Sequence, residues 1–203
     1  SVAINDGGDG QLNAAEDSSV TISGTTSGIP DGQTVSINIS SDGGGTPINT
    51  TANVNTNSYS VSGLDLSSLN DGTLTITADV SDLAGNSATQ ASDTSTKDSA
   101  APNYTISSDL ASLQAGETAN IQFTLSEDSS NFDATDITVS GGSLSNFAGS
   151  GSSYIATFTL DPNSTSNGNI TIASSAFSDT AGNLNDDENT IPLTVDTSKP
   201  LFQ

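Results

Sequence analysis

The sequence predicts an all-β protein: two antiparallel β-sandwich domains in tandem, set end to end in an extended arrangement. Three observations predict it. Apolar residues fall in short alternating runs rich in Val, Ile, Thr, Phe and Tyr, bounded by Gly, Asn and Asp, which is the pattern of half-buried strands. No segment keeps a helical 3.6-residue periodicity beyond two turns. Finally, sequence markers recur at a spacing near 100 residues, long enough for each unit to own a sandwich core.

The strands follow in order. In the first half, alternation marks Val20–Ser23, Thr34–Ser40 with Val35, Ile37 and Ile39 on one face, Ser58–Ser62, and Gly72–Val80. In the last of these, Leu74, Ile76 and Ala78 point one way and Thr73, Thr75 and Thr77 the other, which reads as a core face and a solvent face. Val2-Ala-Ile4 reads as a first strand. The second half repeats the pattern at Ala119–Leu125, Ile137–Val139, Ser153–Leu160, Asn169–Ala173 and Thr190–Val195.

The repeat is explicit in three places. Asp82-Leu-Ala-Gly-Asn86 returns as Asp179-Thr-Ala-Gly-Asn183, Asp98-Ser-Ala-Ala-Pro102 as Asp196-Thr-Ser-Lys-Pro200, and Glu16 ahead of Val20 and Ile22 as Glu117 ahead of Ile121 and Phe123. These markers set the domains at 1–99 and 100–199, with 200–203 opening a following repeat, as if the chain were cut from a longer array.

Composition removes whole functional classes. The 203 residues include 24 carboxylates and two basic side chains, Lys97 and Lys199, for a formal net charge of -22, and there is no Cys, His, Met, Trp or Arg. Zinc, copper, haem and iron–sulfur sites lack their usual ligands. Histidine-assisted and thiol catalysis are impossible within one chain, so no enzyme is expected. The acidic surface repels phosphate, so no nucleic acid is expected as a partner. No apolar run approaches the roughly 18 residues of a membrane helix, so no membrane insertion is expected and the chain reads as a soluble monomer. Tyr59, Tyr104 and Tyr154 read as core-edge residues rather than sugar platforms.

These residues resemble the bacterial Ig-like repeats of large, calcium-dependent RTX-type surface adhesins. In the first half the resemblance rests on Val20-Thr-Ile-Ser-Gly-Thr-Thr26, Asp31-Gly-Gln-Thr-Val35, Gly63-Leu-Asp-Leu66 with Asp71-Gly72, and Asp82-Leu-Ala-Gly-Asn86. In the second it rests on Phe123-Thr-Leu-Ser-Glu127, Phe132 with Asp136-Ile-Thr-Val139, Gly142-Ser-Leu-Ser-Asn-Phe147 and Asp179-Thr-Ala-Gly-Asn183. The resemblance implies an Ig-like fold and an extender role at the bacterial cell surface: tandem domains, rigidified by Ca2+ at loops and linker, that project a distal binding domain. The alternative is a module that itself recognises a glycan or protein through the loops Ala148–Ser153 and Asn163–Asn169.

The acidic loops are the candidate metal ligands. Asn5-Asp-Gly-Gly-Asp-Gly-Gln-Leu-Asn-Ala-Ala-Glu16 fits a degenerate calcium loop, with Asn5, Asp6, Asp9, Asn13 and Glu16 as oxygen donors and Gly10 at the sharp turn. A Gly/Asp-rich turn with solvated carboxylates reads the same residues without metal. Sandwich topology places Asp98 near this loop, together with the corner carrying Asp65 and Asp71, and repeats that end as Asp109, Glu117 and Asp196 in the second domain. Asp82 and Asp179 sit in turns at the opposite end, where a role in turn geometry competes with metal ligation. Asp179, with Glu127 or Asp128, is expected to face Asp98 across the short link that leads to Pro102. Carboxylates gathered about 4 Å apart repel by about 1 kcal/mol in water and several-fold more near a protein surface, so a divalent cation converts the cluster from a cost into a cross-link.

Overall fold

Residues 1–197 are described by a computed structural model, and every regular element of length is a strand. The chain divides into two compact units, Ser1–Ala100 and a second from Ala101 onward. Residues 200–203, expected to open another repeat, lie outside the described residues, as does Lys199.

In the first unit the strands are β1 (Ala3–Asn5), β2 (Gln11–Leu12), β3 (Val20–Thr25), β4 (Thr34–Ser41), β5 (Ile48–Asn53), β6 (Ser58–Leu64), β7 (Gly72–Asp79) and β8 (Ala91–Lys97). They form two sheets, β1-β3-β6 and β2-β8-β7-β4-β5. The alternation in the sequence is the alternation in burial: Val35, Ile37 and Ile39 of β4 and Leu74, Ile76 and Ala78 of β7 face the core, while Thr73 and Thr75 are exposed. Each such apolar side chain contributes about 1.5–3 kcal/mol by leaving water.

The second unit comprises β9 (Tyr104–Ser108), β10 (Ser112–Leu113), β11 (Thr118–Ser129), β12 (Ile137–Ser140), β13 (Gly142–Leu160), β14 (Gly168–Ile172) and β15 (Asn189–Val195), again in two sheets, β9-β11-β13 and β10-β15-β14-β12. Among the described residues, one 3-10 turn, Ala134–Asp136, precedes β12 and is closed by reciprocal bonds between Asp133 and Asp136. On β13 it is Tyr154, Ala156, Phe158 and Leu160 that enter the core, leaving Ile155 outside.

Both units share one device that periodicity does not reveal. The first strand is broken in two, and its second piece crosses to the other sheet. There β2 pairs parallel with β8 (Leu12 opposite Lys97) and β10 pairs parallel with β15 (Leu113 opposite Val195). The sandwiches are thus antiparallel except at this one edge. The cores differ in filling. The first is aliphatic apart from Tyr59, whereas the second packs Phe123, Phe132, Phe147, Phe177, Tyr104 and Tyr154 with edge-to-face rings such as Phe132–Tyr154 at 5.0 Å.

Candidate metal centre

Asp82 and Asp179 show why a short turn needs an aspartate at that place. Asp179 accepts the Asn183 backbone N–H at 2.9 Å on one oxygen and the Asn183 side-chain amide at 2.9 Å on the other. Asp82 does the same with Asn86, at 2.9 and 2.8 Å. The intervening Gly85 and Gly182 have φ of +86° and +93°, which a side chain would strain. The Asn86 side-chain amide, followed by its backbone N–H, holds the Asp82 carboxyl below the ordinary aspartate value. The two turns differ in setting: Asp82 is half-buried, whereas Asp179 is only 3% exposed.

Glu127 comes to Asp179 through the end of β11. Pairing of β11 with β13 is regular to Thr124 and resumes at Ser129, so Glu127 stands in an irregular stretch that turns it out of the ladder. Beyond it, the Ser129 hydroxyl donates to the Ser178 carbonyl, and the Ser178 N–H donates to Asn131 Oδ1 at 3.0 Å. These bonds fasten the β11 end to the residue preceding Asp179. As a result, carboxylate oxygens of Glu127 and Asp179 lie within 4.8 Å of each other. Ser129 and Asn131 are supporting residues that the sequence reading missed, because a serine and an asparagine in a polar loop carry no periodic signal.

Fully buried Asn185 is another. Its side-chain oxygen accepts the Ala176 and Phe177 amides and its nitrogen donates to the Ala173 and Asp187 carbonyls, which sets the approach to the Asp179 turn.

The 5–16 loop divides its polar groups among local bonds. Asn5 closes β1 opposite Thr21. Asp6 is buried and accepts the Gly8 N–H and the Ser95 hydroxyl, at 3.1 and 2.9 Å. Asp9 accepts the Gln11 N–H, Asn13 Oδ1 the Ala15 N–H, and Glu16 the Asn13 N–H. The loop does fold back on itself, since a Cβ on Gly7 would stand 2.9 Å from Glu16 Oε1. Among the described residues, however, Asp6, Asp9 and Glu16 do not form a group of three carboxylates within reach of one ion.

The C-terminal end of each unit is tied back to the second piece of its first strand. The Asp98 N–H donates to the Leu12 carbonyl at 3.1 Å, and the Asp196 N–H to the Leu113 carbonyl at 2.7 Å. Glu117 accepts the Gln114 N–H as Glu16 accepts that of Asn13, and Asp109 holds both amides of Asn120. Asp98 also accepts the Ala100 N–H at 3.2 Å. Asp65 binds the Ser67 hydroxyl and N–H, in that order of effect, and its carboxyl is lowered by them. Asp71 binds Ser99 and Lys97.

Calcium takes six to eight hard oxygen ligands, and a close carboxylate pair with one buried member supplies that donor type. Lys97, the only basic side chain among the described residues, is already engaged by Asp17 and Asp71.

Residues 98–195 match the family model of the bacterial Ig-like domain. The match takes in Asp98, Glu127 and Asp179 and stops just short of half the chain. Among solved structures, the chain is similar to a tetra-tandem repeat in the extending region of a large adhesion protein, at 27% identity over 95% of this chain, with a TM-score of 0.42. It spans 48% of the length of that structure. It is also similar to the fibronectin(III)-like modules of Clostridium thermocellum CbhA, at 13% identity over 100% of this chain and 99% of the other, TM-score 0.36. A third likeness is to the mouse coronavirus receptor-binding domain complexed with its murine receptor, at 12% identity over 96% and 100% of the two chains, TM-score 0.38. No curated protein matches the chain. Among the described residues no helix is long and apolar enough to cross a membrane.

Proposed function

We propose that this chain is a structural extender of a bacterial surface adhesin, in which Ig-like units in series are stiffened by calcium and carry a distal binding domain away from the cell. The observation that carries the reading is the Glu127–Asp179 pair, held within 4.8 Å by a built turn and lying in the segment that matches the bacterial Ig-like family. Glu127 and Asp179 would supply carboxylate oxygens to the ion. The set contains only hard oxygen donors, which suits calcium rather than a softer metal. Asn183 orients both Asp179 oxygens in advance, so less freedom is lost when a ligand arrives.

Calcium, when bound, supplies the positive charge that lets these carboxylates coexist. The chain's own residues do the rest: Asn183 and Ser129 hold the turn and the strand end. Extracellular modules bind calcium at about 0.1–1 mM, so stiffening is expected outside a cell and its loss in chelator. An extender needs no catalytic group, in keeping with a chain that lacks Cys, His and Arg.

The test is thermal unfolding and solution scattering of the whole chain, in millimolar calcium and in EDTA. Calcium at a hundredfold excess over Kd is expected to add about 2.7 kcal/mol to the units that bind it and to lengthen the particle. Glu127→Gln is expected to abolish the calcium-dependent gain in the second unit while leaving the first unit's transition in place. Identical profiles with and without calcium would overturn the reading.

A further inference from the structure

Lys97 ends β8 with its side chain only 2% exposed, an unusual place for an ammonium group. Its Nζ lies 3.1 Å from Asp17 Oδ2 and 3.4 Å from Asp71 Oδ1. The same Asp71 oxygen accepts the Ser99 N–H at 3.0 Å and the Ser99 hydroxyl at 2.8 Å, and Lys97 reaches that hydroxyl at 3.3 Å. Asp17 in turn gives its backbone carbonyl to the Leu66 N–H at 2.7 Å. One ammonium therefore joins three separate segments: the loop before β3, the loop before β7, and the residues just after β8.

Among the described residues, the second unit builds the equivalent end without a lysine. Val195 occupies the register position of Lys97, opposite Leu113 as Lys97 is opposite Leu12. The pairing differs there: Gly72 stands opposite Lys97, whereas Gly168 stands opposite Leu193, and the Val195 N–H donates instead to the Asn167 side-chain oxygen at 3.2 Å. Thr118 opens β11 where, one repeat earlier, Asp17 stands. Neither Val195 nor Thr118 is charged, and Lys97 reaches both Asp17 and Asp71, so the two carboxylates and the lysine form a set rather than scattered surface charges.

We propose that Lys97 is the resident cation of this end of the first unit, fixing Ser99 and the start of the link with no dissolved ion. The reason is electrostatic. A buried carboxylate needs a cation or a dense set of donors, and a lysine tethered on the neighbouring strand provides the charge at fixed concentration. Asp71, which its place in the sequence marks as a calcium ligand, is on this proposal committed to Lys97 and Ser99. The proposal concerns residues 1–100 alone and stands whether or not calcium binds elsewhere.

Amide hydrogen exchange of the whole chain by NMR tests it. In EDTA the Ser99 and Leu66 N–H groups are expected to stay as protected as they are in calcium. Asp71→Ala, at a residue near the surface, should leave the unit folded and the Leu66 amide protected. It should speed exchange at Ser99 by about tenfold or more, since a bond to a charged acceptor is lost. Lys97→Met should expose both amides. Loss of Ser99 protection on removing calcium from the unmodified chain, or unchanged exchange at Ser99 in Asp71→Ala, overturns the proposal.

Discussion

Tyr104 shows how much a single side chain decides in this fold. Its ring packs edge-on against Phe177 at 5.8 Å, and its hydroxyl donates to the Ile172 carbonyl at 2.8 Å and to that of Asp187 at 3.3 Å. Burial pushes its pKa above the ordinary 10.0, and burial does the same for Tyr59 and Tyr154. A group whose folded value is raised adds stability that is complete below the unfolded value and lost as pH rises through the folded one. Both units should therefore keep this contribution up to about pH 10 and lose it above, with tyrosinate absorbance appearing later than in the unfolded chain. Tyrosinate absorbance that tracks the free side chain while the units remain folded would contradict this. At the same scale, the carboxylates of the 5–16 loop were legible as donors but not as partners. Whether Asp6 meets an ion or Ser95 depends on a strand 89 residues away.

Elements with an apolar stripe were readable, and those without one were not. The sequence Ile-Asn-Thr-Thr-Ala-Asn of β5 buries Ala52 alone, and Ala-Ser-Asp-Thr-Ser-Thr-Lys of β8 buries only Ser95 and Lys97. β8 is held instead by polar bonds across the seam: Asp93 accepts the Ile4 N–H, Ser95 donates to Asp6, and Lys97 pairs with Asp17. No periodicity scale registers such a strand. The turn from β5 to β6 makes a prediction at this scale. Asn55 and Ser58 exchange backbone bonds around Thr56 and Asn57, whose φ values are +49° and +59°. A β-branched residue is strained there, whereas asparagine tolerates the left-handed region. Thr56→Asn is expected to stabilise the first unit by about 0.5–1 kcal/mol, seen as a higher unfolding temperature. A lower temperature would show that the Thr56 hydroxyl bond to Asn55 outweighs the strain.

For the whole molecule, the consequence of two separate cores is that damage stays local. Phe177 is fully buried, with its ring 5.0 Å from that of Phe132. Phe177→Ala should cost the second unit about 3–5 kcal/mol. Calorimetry is then expected to show one transition moving down and the other, carried by the aliphatic core around Ile22, Ile39 and Leu74, staying in place. Equal shifts of both would mean that the units do not unfold separately.

Alternating apolar residues, turn-forming Asp-x-Ala-Gly-Asn segments and a marker spacing near 100 determined by themselves that this chain is all-β and repeated, because burial on a sheet face is a property of neighbours two residues apart. The pairing of charges was decided only by tertiary structure. Glu127 meets Asp179, and Lys97 lies between Asp17 and Asp71, because loops distant in sequence are delivered to one end of a sandwich. Coulomb energies depend on those through-space distances and on burial, neither of which is written in the local order of residues.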